Sequence, residues 1–194
     1  MIRAAADLMY VKGVNGTTLD DVRAASGTSK SQLYRYFADK DDLVNEVVQL
    51  RSTTILRREE QRLRRLKSFN GLVRWRTALV QQNALQDGAY GCILGSLANE
   101  LADQNEQARS MMAETFATWE TLIAAGLKRM QDNGTLQADA DPATLATGLL
   151  AALQGGYLLA QTAKDVAPME VALDMALDHI KSLVVADKPA NPDS

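Results

Sequence analysis

The sequence predicts an all-α protein, and three observations carry that prediction. Helix-forming residues dominate the 194 positions, and aromatic residues make up only 5%. Apolar residues reach 46%, enough to bury a real core in a chain of this length. No stretch of four or more residues alternates cleanly enough to read as a strand.

The elements follow in order. A first helix is expected from about Ile2 to Lys12, with Ile2, Ala5, Ala6 and Met9 at helical spacing and Gly13 as terminator. Thr18 followed by Asp21 forms a capping box for a short helix that turns Leu19, Val22 and Ala25 inward and breaks at Gly27. Ser29 with Gln32 caps a second short helix, which anchors Leu33 and Phe37. Asp39 with Asp42 caps a third, continuing through Leu43, Val47 and Leu50 into the basic run LRREEQRLRRLKS. Ser68 caps the next helix, in which Leu72, Trp75, Leu79 and Gln82 share a face. After YGCILGSLANEL, a long amphipathic helix is expected from about Glu106 to Gln131, carrying Met112, Phe116, Trp119, Ile123 and Met130. Asp141-Pro142 opens a helix in which Gly148, Ala152, Gly156 and Ala160 recur every four residues. A last helix follows Pro168, and DKPANPDS reads as a disordered tail.

The net charge of −3 taken alone argues against a nucleic-acid binder, but the charge is unevenly placed. From Gln49 to Arg76 there are nine Lys or Arg against two Glu, whereas from Thr77 onward six basic residues face fifteen acidic ones. The basic run is either a solvated helix face or a positive surface flanking a DNA footprint. The single cysteine, Cys92, rules out an internal disulfide and suits a reducing compartment. No secretory signal is visible at the start, and no run approaches the ~20 apolar residues of a membrane span, GLLAALQGGYLLA being interrupted by Gln154 and two glycines. A soluble, cytoplasmic protein without membrane contact is expected.

Residues 26–43, SGTSKSQLYRYFADKDDL, carry short hydroxyls, an amide and hydroxylated rings where an ordinary helix would place long charged side chains. Two short helices joined at a glycine, the second capped by Ser, form a helix-turn-helix whose second helix enters the DNA major groove. Ser, Thr, Gln, Lys, Arg and Tyr are side chains that hydrogen-bond phosphates and bases.

The stretch TTLDDVRAASGTSKSQLYRYFADKDDL resembles the TetR family of bacterial repressors, over Met1 to about Val47. The resemblance implies that Thr18 and Lys40 hold phosphates at helix N-termini, and that Thr28, Ser29, Lys30, Ser31, Gln32, Tyr34, Arg35 and Tyr36 face the groove. Lys30, Ser31 and Gln32 are expected nearest the bases, with Tyr34, Tyr36 and Lys40 positioning the backbone. Arg23 and Ser26 replace alanines usual in the family, at little expected cost. Family members also usually carry several basic residues ahead of the helix that begins here at Ile2, and a truncated start would remove phosphate contacts.

In the C-terminal part, Trp75, Leu79, Gln82, Phe116, Trp119, Ile123, Gln154 and Tyr157 are candidate linings of a cavity for a small aromatic or lipophilic effector, the alternative for both tryptophans being core. Gly148, Ala152, Gly156 and Ala160, with Leu173, Leu177, Ile180 and Val184 of the last helix, are candidates for a homodimer interface, the alternative being intramolecular core. GCILGSLANELADQNEQAR and ADADPATLATGLLAALQGGYLLAQ resemble the C-terminal domain of the LmrA/YxaF-like branch of that family, with Ile93 where a proline is usual. The domains are then residues 1–47 for DNA binding, 48–186 for effector binding and dimerisation, and 187–194 as tail.

An enzyme is disfavoured. His179 is the only histidine, Ala176 stands three residues before it where a Glu-x-x-His pair would need a carboxylate, and no Ser-His-Asp set exists. No metal, cofactor or catalytic residue is expected, Cys92 reads as a small buried residue, with a redox role as its alternative, and His179 as solvated or interfacial. The favoured reading is a ligand-responsive homodimeric repressor on a palindromic double-stranded operator; a DNA-binding protein without a small-molecule effector is the alternative.

Overall fold

The computed structural model describes residues 1–85 and 91–185. The tail expected over residues 187–194, and residue 186 of the preceding domain, lie outside that range. Among the described residues there are nine α-helices and no strand longer than an isolated bridge.

The first three helices are α1 (Ile2–Lys12), α2 (Leu19–Ser26) and α3 (Lys30–Tyr36), and α4 (Lys40–Leu63) follows directly. Their starts are set by the anticipated caps: Thr18–Asp21 and Ser29–Gln32 each form a complete reciprocal box, and Asp39 accepts from the Asp42 amide. Gly27 ends α2 in the left-handed region at φ 67°, which lets the chain turn straight into α3. Ala5, Ala6, Met9, Val22, Leu33, Phe37, Leu43 and Val47 close a small core beneath this unit. Ala25 departs from its expected inward place and is exposed, because an eight-residue helix turns only one narrow face inward. The boundary drawn between residues 47 and 48 falls inside α4, a single 24-residue helix.

The remaining helices are α5 (Phe69–Ala84), α6 (Ile93–Leu101), α7 (Glu106–Asp132), α8 (Pro142–Ala163) and α9 (Ala167–Ser182). α7 lies between α4 and α8, and α8 runs along α9. Arg129 near the end of α7 donates to the Leu63 and Leu66 carbonyls at 2.7 and 2.8 Å, which ties α7 to the turn that follows α4. Val184, expected at a dimer interface, instead pairs with Leu136 in an isolated antiparallel bridge.

The small residues of α8 divide between two faces. Gly156 and Ala160 are buried inside the subunit, and a Cβ at Gly156 would stand 2.9 Å from the Met169 Cα. Leu173, Leu177 and Ile180 are likewise intramolecular core, so these five candidates serve the α8–α9 contact within one chain. Gly148 and Gly155 meet nothing within 4 Å and look outward, with Leu158 and Leu159 on the same helix and Val171 and Met175 on α9 also exposed. Gly156→Ala should therefore destabilise the fold by about 1–3 kcal/mol through overpacking. Gly148→Ala should be neutral, or stabilising by up to ~1 kcal/mol from helix propensity. Chemical denaturation of the two variants side by side checks both.

By length and composition alone α8 is long and apolar enough to cross a membrane, an 18-residue window of it having a mean hydropathy of 1.4, a test that the core helix of a folded protein also passes. Burial of one face against α9 and α7, and the exposed apolar face opposite, account for that composition.

Candidate nucleic-acid interface and effector cavity

α3 is held by its caps so that its outer surface stands clear of the core. Lys30, Ser31, Gln32, Tyr34, Arg35 and Tyr36 are all exposed, and Leu33 alone in that helix is buried. Thr18, Arg23, Lys30, Tyr34 and Lys40 converge on one concave groove of about 360 Å³. Thr18 is the N-cap of α2 and Lys40 the first residue of α4, so two helix N-termini open toward an anion there. Arg23 joins the groove while bonded to Asp20 at 3.1 Å. The Asp21 carboxyl sits below its ordinary range because the Thr18 backbone N–H and hydroxyl both donate to it, which favours its ionised form.

Two expected base readers are partly engaged already. Gln32 Oε1 accepts from the Ser29 N–H at 2.9 Å, so its amide is folded back on its own helix. The Lys30 ammonium lies 5.9 Å from the Tyr34 ring centroid, a cation–π distance. Ser29 and Ser31 share a hydroxyl contact at 3.1 Å, and Thr28, half-buried, bonds Ser26. Ser31, Arg35 and Tyr36 remain the side chains most open to a groove.

The basic run resolves only in part into internal chemistry, through Arg58 and Arg62, while Arg57, Arg64, Arg65 and Lys67 are exposed. Arg51 bonds Asp7 at 2.9 Å. Glu59 is 0% exposed, and it accepts from Arg58 Nε, Arg62 Nη1 and Trp75 Nε1, each at 2.9 Å. With 1.5 Å of rise per residue, Arg58 lies about 27 Å along α4 from Lys40, away from the groove that Lys40 lines. Glu59 was missed in the sequence. The available signal was register: Ser52, Ile55, Glu59 and Leu63 are all buried at helical spacing, so a carboxylate holds a core position.

Two cavities adjoin through Cys92 and Tyr157, which line both. The outer one, about 310 Å³, is walled by Gly95, Ser96 and Asn99 of α6, Phe116 of α7, and Gln154, Leu158 and Gln161 of α8. The inner one, about 80 Å³, is lined by Ile55 and Arg58 of α4, Gln82 and Asn83 of α5, and Trp119 of α7. Of the eight candidate lining residues, Phe116 and Gln154 face the outer cavity, Gln82 and Trp119 the inner one, and Tyr157 both. Trp75, Leu79 and Ile123 line neither and belong to the packed core, where the Trp75 indole serves Glu59.

Cys92 is 7% exposed, and burial pushes its thiol above the ordinary range. Its labelling by iodoacetamide at pH 8 should be at least ~10-fold slower in the folded protein than in urea, by timed mass spectrometry. Among the described residues no group of three or more His, Cys, Asp or Glu is placed to hold a metal.

One further tie joins the two halves. Glu100 of α6 accepts from the Val14 and Asn15 backbone N–H groups, at 2.8 and 3.3 Å, and so grips the loop that leads from α1 into α2.

A capped recognition helix, two phosphate-ready helix starts and a hollow helical domain on a shared long helix define a helix-turn-helix transcriptional regulator. The chain belongs to the TetR family: residues 1–47 match the model of bacterial regulatory proteins of the tetR family, and residues 63–176 that of the tetracyclin repressor-like C-terminal domain. It is 28% identical over 183 residues to an uncharacterized HTH-type transcriptional regulator in the lacX 3' region of Lactococcus lactis subsp. lactis, covering 90% of this chain and 88% of that one. It is 25% identical over 174 residues to the uncharacterized HTH-type transcriptional regulator YxaF of Bacillus subtilis, covering 87% of each. The crystal structure of a regulatory protein TetR from Rhodobacter sphaeroides shares the fold, with a TM-score of 0.83 and 23% identity over 95% of this chain and 96% of that one. The chain is thus a transcriptional regulator and not an enzyme.

Proposed function

We propose that this regulator is a homodimeric repressor that leaves its operator when a small, aromatic or lipophilic molecule enters the cavity. The observation that carries the reading is that α6 both walls the outer cavity, through Gly95, Ser96 and Asn99, and grips the α1–α2 loop through Glu100. A ligand that shifts α6 acts on the element that seats α2 and, through Gly27, α3. Binding better to the form with the wrong spacing of recognition helices releases DNA, with coupling on the order of 1–3 kcal/mol.

The exposed apolar face of α8 and α9 supports dimerisation, and two recognition helices about 34 Å apart would then match a palindromic site. The test is fluorescence anisotropy on the upstream intergenic DNA, titrated against salt and a panel of small aromatic compounds, with a promoter–reporter assay for the direction of control. Lys40→Ala should lower the salt slope by about one and weaken all sequences alike. Lys30→Ala and Gln32→Ala, if these residues read bases, should cost about 1–3 kcal/mol each on operator and little on random DNA. Unchanged operator binding in both would remove them from the reading set.

A further inference from the structure

The inner cavity is a polar room at the end of an apolar one, and its walls carry an imbalance. Among the described residues, Arg58 and Arg62 bring two positive charges to a cluster whose one carboxylate is Glu59. Arg58 lines the cavity, and among the described residues its only bond runs from Nε to Glu59, so the outer N–H groups of its guanidinium bond no described residue and are open to a ligand. Trp119 is 0% exposed and lines the same cavity, and its indole N–H is buried without a partner. Gln82 gives its oxygen to Arg62 at 3.0 Å, which leaves its NH₂ as the end free to face a ligand. A buried donor without an acceptor, as at the Trp119 indole, is costly, whereas Arg58, with a third of its side chain exposed, can exchange water for a ligand at its outer N–H groups. The Trp75 indole in the next layer shows the contrast: it is satisfied, by Glu59 at 2.9 Å.

We infer that the inner cavity is the head-group subsite of an anionic effector: a molecule with an apolar body in the outer cavity and one carboxylate held by Arg58 and the Trp119 N–H. This rests on the effector reading above and narrows it to a chemical class. Arg58 offers one cationic group to such a head, and about 80 Å³ leaves room for a compact head rather than a second ring. Cys92 and Tyr157 form the throat between the two rooms, which sets the apolar body next to Phe116 and Leu158. Asn83 Oδ1, also buried and unpartnered, takes a donor, which a water beside the carboxylate supplies.

The experiment is isothermal titration calorimetry of the full chain with three matched pairs, benzoate, 3-phenylpropionate and decanoate against their primary amides, run beside operator-release anisotropy. At least one acid should bind about 10-fold or more tighter than its amide, since charge-assisted bonds are the strong ones. That preference should fall to within about twofold in Arg58→Gln, return in part in Arg58→Lys, and shrink in Trp119→Phe, which keeps the ring and removes the donor. Thermal melts confirm that each variant is folded, and Trp119→Phe decides the matter should Arg58→Gln fail to fold. Amides that bind as well as the acids, or a preference that survives in both Arg58→Gln and Trp119→Phe, overturn the inference; if those amides release DNA, the effector reading stands without it. Acids that bind through Arg58 yet leave DNA bound support the subsite and sink the effector reading. Binding by neither class counts against both.

Discussion

Replacing Glu59 by alanine should remove about 3 kcal/mol of stability, measured as a drop in urea midpoint at fixed protein concentration. Its carboxylate is wholly buried and accepts three bonds, from two arginines and the Trp75 indole. Truncation leaves that indole N–H orphaned in the core and two guanidiniums without a counter-charge, opening space beside Ile55 and Leu63 as well. The arginines are partly exposed, at 33% and 24% of their side-chain surface, so water recovers some of the loss and the upper end of the range for buried pairs is not reached. Glu59→Gln keeps an acceptor for Trp75 and should lose roughly half as much. A change below ~1 kcal/mol for Glu59→Ala would mean the cluster is solvated in solution.

The second large effect concerns assembly. Leu159→Glu combined with Met175→Glu should leave the subunit folded but monomeric, and operator affinity should fall by at least ~100-fold, because the second recognition helix no longer binds as an intramolecular event. Both side chains stand on the outer face of α8 and α9, at 56% and 70% exposure, where a change to Glu disturbs no internal contact seen in the chain. Sedimentation velocity and anisotropy read the two consequences separately. A variant that remains dimeric at micromolar concentration would place the interface elsewhere.

Much of the local structure was legible because helix starts are written in short-range chemistry. Thr18 with Asp21, Ser29 with Gln32, Asp39, Ser68 and Asp141-Pro142 each needed only neighbours within three residues, and each opens a helix. The assignment of faces was harder. Gly148, Ala152, Gly156 and Ala160 repeat every four residues, but a helix turns once in 3.6, so each step precesses by about 40°. Across the two steps from Gly148 to Gly156 the ridge swings about 80°, which is why Gly148 looks outward and Gly156 meets Met169. Trp75 and Trp119 could not be told apart by pattern either. Both are buried aromatics at helical spacing, and only the tertiary fold puts Glu59 at one indole nitrogen and a cavity at the other. Gln32 shows the same limit within the binding unit, since a residue that caps its own helix is chemically indistinguishable in sequence from one that reads a base.

The continuity of α4 has a mechanical consequence. Its first residue, Lys40, sits in the groove shared with Thr18, Lys30 and Tyr34, and its fifth turn brings Ile55 and Arg58 to the cavity wall, with no break, proline or glycine between them. An unbroken helix is stiff over this span, so it behaves as a lever about 27 Å long. A tilt of about 5° pivoting at the cavity end would carry Lys40 through roughly 2–3 Å. That displacement is comparable to the length of a hydrogen bond, so under the proposed function a slight movement at the cavity end would suffice to break a phosphate contact at Lys40.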